Sequence, residues 1–225
     1  MKTIIVTGAG SGLGKELSLL FSQQGYHVLL TGRSVGKLAA VKKEIEKAGG
    51  VADYVVLNIQ KETDILNRVN ELRMNHQVVG LVNNAGVGHF GPFFKITQQE
   101  ISEMLNTNVL GTILMTKAIL PLLQEQGEGL LINIISTAGL RGKVNEAVYA
   151  ASKFAVRGFT ESLQKEYENS PINIKAVYMG GMDTPFWEGS NHIEDASRFR
   201  SAKEVAKMII EQIDQDEIII ESKKS

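Results

Sequence analysis

The sequence predicts an α/β fold, a doubly wound parallel sheet with helices on both faces, and three observations lead there. Short apolar runs alternate with amphipathic stretches along the whole chain. The apolar runs are nearly continuous, as strands covered on both faces require. A glycine-rich turn, "TGAGSGLG", separates the first apolar run from the first amphipathic stretch. At 225 residues and 43% hydrophobic content, the chain can bury one substantial core, so one domain over residues 1–225 is expected.

The elements follow in order. "TIIVTG" reads as a buried strand, and "GLGKELSLLFSQQG" then shifts to helical spacing, with Leu13, Leu17 and Leu20 as core candidates. "HVLLTG" is the second strand, helical "SVGKLAAVKKEIEKAGG" leads to strand "VADYVVLNI", and helical "TDILNRVNELRMN" leads to "VVGLVNNAG". A long helical segment from Gln98 to about Gln124 precedes "GLLINIIS". A helix from about Tyr149 to Glu168 precedes "INIKAVYM", and "SAKEVAKMIIEQID" precedes "EIIIES". Pro92, Pro121 and the "GEG" of residues 127–129 are expected to mark turns. Such a sheet places its ligand crevice at the carboxyl ends of the strands.

Composition excludes several functions. Lys plus Arg number 24 against 25 Asp plus Glu, with no long basic block, so nucleic acid is not an expected partner. Cysteine is absent, which removes disulfides, thiolate nucleophiles and thiolate metal sites. No stretch reaches the roughly 18 uninterrupted apolar residues of a membrane span. The start, "MKTIIVTGAG", leaves no room for a signal peptide, so a cytoplasmic location is expected. The four histidines have no metal-site spacing; His192, Glu194 and Asp195 read as a surface polar cluster, and no metal is expected.

Two constellations carry chemistry. In Thr7–Gly14, Gly8, Gly12 and Gly14 permit a tight turn, close backbone approach to a pyrophosphate and close helix packing, while the helix amino end offers free N–H groups. Tyr149 and Lys153, in "YAASK", share a helix face one turn apart. A nearby ammonium favours the phenolate and lowers the tyrosine pKa from about 10. A carbonyl reduction needs a proton donor at the oxygen that gains charge, and the reverse oxidation needs a base there.

Thr7-Gly8-x-x-x-Gly12-x-Gly14, "NNAG" at Asn83–Gly86 and "YAASK" at 149–153, in this order, resemble the short-chain dehydrogenase/reductase family over nearly the whole chain. The resemblance implies a Rossmann-like domain, a nicotinamide cofactor and a homodimer or homotetramer. It assigns cofactor contacts to Gly8, Ser11, Gly12, Leu13 and Gly14. The family's acidic position after the second strand is Gly32 here; Arg33 follows, and its donor fork suits a 2'-phosphate, with Ser34 and Ser11 as helpers. NADPH is therefore the expected cofactor. Asn58 matches the position facing the adenine amine and Ile59 packs beside the ring. Asn83 matches a residue that ties neighbouring strands, while Asn84, Ala85 and Gly86 border the cofactor. Tyr149 and Lys153 also border it.

Ser136, thirteen residues before Tyr149, matches the substrate-orienting serine, with Thr137 the alternative hydroxyl. Asn108 in "NTNVLGT" matches an asparagine that bends its helix and holds a water beside the lysine; Asn106 is the alternative. In "MGGMDT", Gly181 and Thr184 keep the spacing of a nicotinamide-binding turn, but Gly180 stands where the family has proline, which is expected to loosen the start of this loop. His89 and Phe90 are candidates for the substrate side. Residues 182–199 are expected to cover the substrate, with Trp187 either facing the pocket or pinning the loop to a neighbouring helix. The implied function is NADPH-dependent reduction of a ketone or aldehyde on a small molecule. A 3-oxoacyl-[acyl-carrier-protein] reductase acting on a carrier-bound acyl chain, and a non-catalytic cofactor-binding regulatory or scaffold protein, are the alternatives.

Overall fold

The computed structural model describes residues 1–188, 190, 192 and 197–223. In chain order the elements are β1 (Lys2–Thr7), α1 (Gly12–Gln23), β2 (His27–Gly32), α2 (Val35–Lys47), β3 (Val51–Val56), α3 (Glu62–Asn75) and β4 (Gln77–Asn83). Then come α4 (Gln98–Met104), α5 (Thr112–Gln126), β5 (Gly129–Ile134), α6 (Ala147–Glu166), β6 (Ile172–Met179) and the two-residue β7 (Met182–Asp183). The two-residue β8 (Arg200–Ser201), α7 (Ala202–Glu211) and β9 (Glu217–Ile220) complete the set. Seven strands form one parallel sheet in the order β3-β2-β1-β4-β5-β6-β9, and β7 pairs with β8 beside it. Successive strands move outward from β1 to β3, and the chain then crosses back to place β4 on the other side of β1. That reversal opens a crevice at the strand ends.

Side chains alternate across the sheet and supply two cores. Ile4 and Val6 on β1 join Leu13, Leu17 and Phe21 of α1 and Val205 and Ile209 of α7, whereas Ile5 joins Ile65 of α3, Ile119 of α5 and Leu163 of α6. Leu17 is fully buried, so truncating it to Ala removes contacts worth about 2–5 kcal/mol. Buried amides between the strands are paired: Asn83 Nδ2 donates to Thr116 Oγ1 and to Asn133 Oδ1, both at 2.9 Å, and Asn133 Nδ2 donates to Thr160 Oγ1 at 2.9 Å. Asn83 thus ties β4 to β5 and to α5, as the sequence suggested. Among the described residues, no helix is long and apolar enough to cross a membrane.

Two local expectations change. Pro121 does not mark a turn but lies inside α5, which ends at Gly127 with φ +67°. Burial of Ile119, Leu120, Leu122 and Leu123 around it outweighs the backbone hydrogen bond that proline cannot make. The long helix from Gln98 is also interrupted, since Leu105–Gly111 forms a π-helical segment between α4 and α5.

Candidate active site

The crevice at the carboxyl ends of β1, β4 and β5 is a cleft of about 450 Å³, a volume within the range of small-molecule sites. One end is the glycine turn. Gly8 and Gly12 have φ +64° and +54°, and a Cβ on Gly14 would stand 2.5 Å from both Asn84 Nδ2 and the Gly8 carbonyl oxygen. These residues therefore form a cradle that only glycine leaves open. Asn84 holds it from β4's end: Nδ2 donates to the Thr7 and Gly8 carbonyls at 2.9 and 3.3 Å, while Thr7 Oγ1 accepts the Asn84 and Ala85 N–H groups at 3.0 Å. The first turn of α1 has no acidic residue and Ser11 makes no side-chain cap, so the helix terminus keeps its attraction for an anion. The turn, the uncapped terminus and the cleft volume together fit a dinucleotide.

Arg33 borders the cleft just past β2. Lys37 also borders it, a cation the sequence did not single out, because it reaches the site only through the first turn of α2. Ser34 caps α2, its hydroxyl accepting the Lys37 N–H at 3.5 Å, and does not line the cleft. Asn58 and Ile59 do; Asn58 Oδ1 accepts the Gln60 N–H at 3.1 Å and keeps a second lone pair for another donor. Ser11, Leu13, Ala85, Gly86, Gly181 and Thr184 line the cleft too, with Thr184 against Gly12.

Ser136, Tyr149 and Lys153 meet on the opposite wall and are all buried. Lys153 Nζ donates to the Ile134 carbonyl at 3.0 Å and lies 5.7 Å from the centre of the Tyr149 ring. Ser136 follows β5 with φ +111°, a conformation rare for a side-chain-bearing residue and one that aims it at the site. Asn108 sits in the π-helical segment; its amide bridges both backbone groups of Val87 at 2.9 Å and donates to Ser152 Oγ at 3.0 Å. A Cβ on Gly86 would lie 3.4 Å from Asn108 Oδ1 and 3.8 Å from Lys153 Nζ, so Asn108 and Lys153 share one corner. Asn106, Asn108 and Thr137 are not among the residues that line the cleft, and Asn108 stands behind Gly86 at that corner.

Electrostatics in this wall differ from the simple expectation. Burial pushes the Tyr149 phenol above its ordinary pKa; the Ser136 hydroxyl acts the other way and the Glu146 charge adds to the rise. Burial also lowers Lys153 from 10.5 to about 8. The phenol therefore stays above its usual value, its shift set first by its own desolvation and not by the neighbouring ammonium.

Phe186 and Trp187 also line the cleft, and Trp187 donates its indole N–H to the Met182 carbonyl at 3.0 Å. Phe90 stands behind them, its ring centre 5.3 Å from Tyr149 and 5.0 Å from Trp187. His89 turns instead to Glu103, 2.9 Å away on α4. His192 stacks on Phe90 at 4.8 Å, and its Nε2 lies 3.0 Å from Oε1 of Glu146, a buried carboxylate in the cleft wall. Glu194 and Asp195 lie outside the described residues, among which no three His, Cys, Asp or Glu groups cluster to hold a metal.

The pattern that defines short chain dehydrogenases matches residues 2–195. The chain belongs to the short-chain dehydrogenase family. This short-chain dehydrogenase is 32% identical over 188 residues, 83% of its length and 76% of the other's, to 3-oxoacyl-[acyl-carrier-protein] reductase of Thermotoga maritima. It superposes with a TM-score of 0.88 and 25% identity on an alcohol dehydrogenase from the archaeon Thermococcus sibiricus complexed with 5-hydroxy-NADP, covering 98% of this chain and 96% of that one. A Burkholderia phymatum short chain dehydrogenase/reductase in complex with NAD gives the same TM-score at 22% identity, covering 98% and 88%. The short-chain dehydrogenase is thus an oxidoreductase with the Rossmann-like fold of this family, and the fold alone does not choose between NAD and NADP.

Proposed function

We propose that this short-chain dehydrogenase reduces a ketone or aldehyde carbonyl to an alcohol with NADPH, with Tyr149 as the proton donor. The observation that carries the reading is one cleft with a glycine cradle at one end and Ser136, Tyr149 and Lys153 together on the facing wall. The nicotinamide, when bound, supplies the hydride. Burial keeps the phenol protonated at neutral pH, the form that gives its proton to the carbonyl oxygen as charge develops there. Lys153, with a pKa of about 8, is mostly an ammonium at neutral pH and stabilises the phenolate left behind. Its position also suits the ribose hydroxyls. Ser136 donates to the substrate oxygen. Asn108 serves the proton relay by fixing Val87 and Ser152 next to Lys153.

The phosphorylated cofactor is favoured by charge. Gly32 presents no carboxylate to a ribose, whereas Arg33 and Lys37 both border the cleft at that end. Residues 182–188 and 197–199 act as the substrate-covering loop, with Phe186 and Trp187 giving an apolar wall to a small or medium carbonyl compound. Similarity to the Thermotoga maritima reductase favours a second reading, in which the substrate is a 3-oxoacyl chain on a carrier protein.

One set of experiments tests this function. Purified protein is titrated with NADPH and NADH, then assayed for NADPH consumption on diketones, aldehydes and ketoacyl thioesters beside Tyr149→Phe. NADPH should bind more tightly, and folded Tyr149→Phe should keep that affinity while losing at least about 100-fold in turnover. Full turnover in the variant would remove Tyr149 as the acid. Equal affinities for the two cofactors would remove the NADPH preference, and absence of turnover by the unaltered protein across the panel would favour a non-catalytic cofactor-binding role.

A further inference from the structure

The end of β6 poses a question that the cofactor cradle does not answer: why two consecutive glycines, Gly180 and Gly181, stand there. Gly180 has no left-handed backbone to explain it. Its N–H donates to the Ile220 carbonyl at 2.8 Å, and a Cβ at this position would lie 2.5 Å from Ser222 Oγ and 2.7 Å from Ser222 N. Backbone cannot yield as a side chain can, so the close passage of residues 220–222 requires glycine here. Gly181 is similarly overlaid by the ring of Phe199.

The residues after β9 are stitched on their other side to the return leg of the covering loop. Arg200 Nε donates to the Glu221 carbonyl at 3.0 Å, Lys223 N–H to the Arg198 carbonyl at 3.0 Å, and Arg198 Nε to the Lys223 carbonyl at 3.1 Å. Arg200 in turn opens β8, which pairs with β7, the start of the segment carrying Thr184, Phe186 and Trp187. A third tie runs to the connection between Ser136 and Tyr149: the Arg141 guanidinium makes a bidentate pair with the Glu221 carboxylate at 3.0 and 2.9 Å. Ser222 itself borders the cleft.

We propose that Glu221 and Ser222 form a strap that positions the loop over the reacting end of the cleft, with Gly180 making room for it and Arg141 anchoring it. These are positioning residues, and the inference rests on the cleft being the reductase site proposed above. Because the strap touches both the loop and the connection carrying Ser136, releasing it should weaken the grip on the carbonyl compound more than it slows proton or hydride transfer. Arg141 and Glu221 are each about half exposed, so their pair is worth a modest factor.

The test uses full-length Arg141→Gln, Glu221→Gln and the double variant, with Gly180→Ala as a fourth. Amide hydrogen exchange over residues 180–188 and 197–200 is measured without cofactor or substrate, so its outcome stands whether or not the protein turns over carbonyls. Each single variant should exchange faster there by about 3–5-fold, the double no more than either single, and Gly180→Ala more than all three. In turnover, KM for the carbonyl should rise by a similar factor while kcat changes less. Unchanged exchange in the single variants, or additive effects in the double, would overturn the strap. Faster exchange with an unaltered KM would confine it to holding the loop and overturn its role at the site.

Discussion

Lys153→Met should flatten a rise in stability that the unaltered protein shows between about pH 8 and pH 10.5. The buried ammonium is disfavoured in the fold, so over that window the unfolded chain binds more protons than the native one, and the linkage relation makes stability increase with pH. A drop from 10.5 to about 8 is about 2.5 pK units, and at 1.36 kcal/mol per unit this amounts to about 3 kcal/mol. The lysine is 5% exposed, so solvent screens this order-of-magnitude figure only weakly. Methionine also leaves the Ile134 carbonyl without its donor, a penalty independent of pH. The informative quantity is therefore the change with pH in the stability difference between the two proteins, in which all other titrations cancel. Urea unfolding at about pH 7 and about pH 10 measures it. Between those conditions the variant's relative stability should fall by about 2–3 kcal/mol, and a difference that stays constant would refute the buried, depressed lysine.

Gly14→Ala should destabilise the fold by about 1–3 kcal/mol and weaken dinucleotide binding, because its Cβ would press on Asn84 and the Gly8 carbonyl; an unchanged urea midpoint would contradict the cradle. Glu146→Gln should move the basic limb of alcohol oxidation to lower pH, since the carboxylate now raises the Tyr149 pKa and its neutral replacement lets phenolate form sooner. A pH–rate profile identical to that of the unaltered protein would count against that coupling. Arg33→Ala should weaken NADPH by about 1.5–3 kcal/mol and NADH far less, and equal losses in a binding titration would show that Arg33 does not meet the phosphate.

The sheet and the central pair were legible because they are written in local periodicity. Ile4, Ile5 and Val6 announce a strand buried on both faces, and Tyr149 and Lys153 share a helix face by spacing alone. Lys37, Glu146 and Ser222 were not legible, since each reaches the cleft through a contact between distant segments that no spacing records. Glu146 meets His192 across 46 residues, and Ser222 crosses Gly180. Gly180 itself makes contacts that its departure from the family pattern did not announce. Judged by intrinsic freedom it should loosen the loop, yet its N–H is held by Ile220 and its missing side chain admits a neighbouring strand of chain. The direction of the Tyr149 shift was hidden for a related reason, because burial is a property of the whole fold while a charge neighbour is visible in the sequence.

The reversal that puts β4 beside β1 also sets a timetable for synthesis. β1, β2 and β3 with α1 and α2 can associate as soon as they emerge, because each pairs with its predecessor in the chain. The far side of β1 must wait until residues 77–83 arrive, and the wall bearing Tyr149 waits longer still. Pairings that join distant residues form slowly and leave apolar edges uncovered meanwhile. In a nascent chain the Ile4-to-Val6 edge is thus open for about seventy residues of translation, the kind of uncovered apolar edge that exposes a stalled or truncated chain to aggregation.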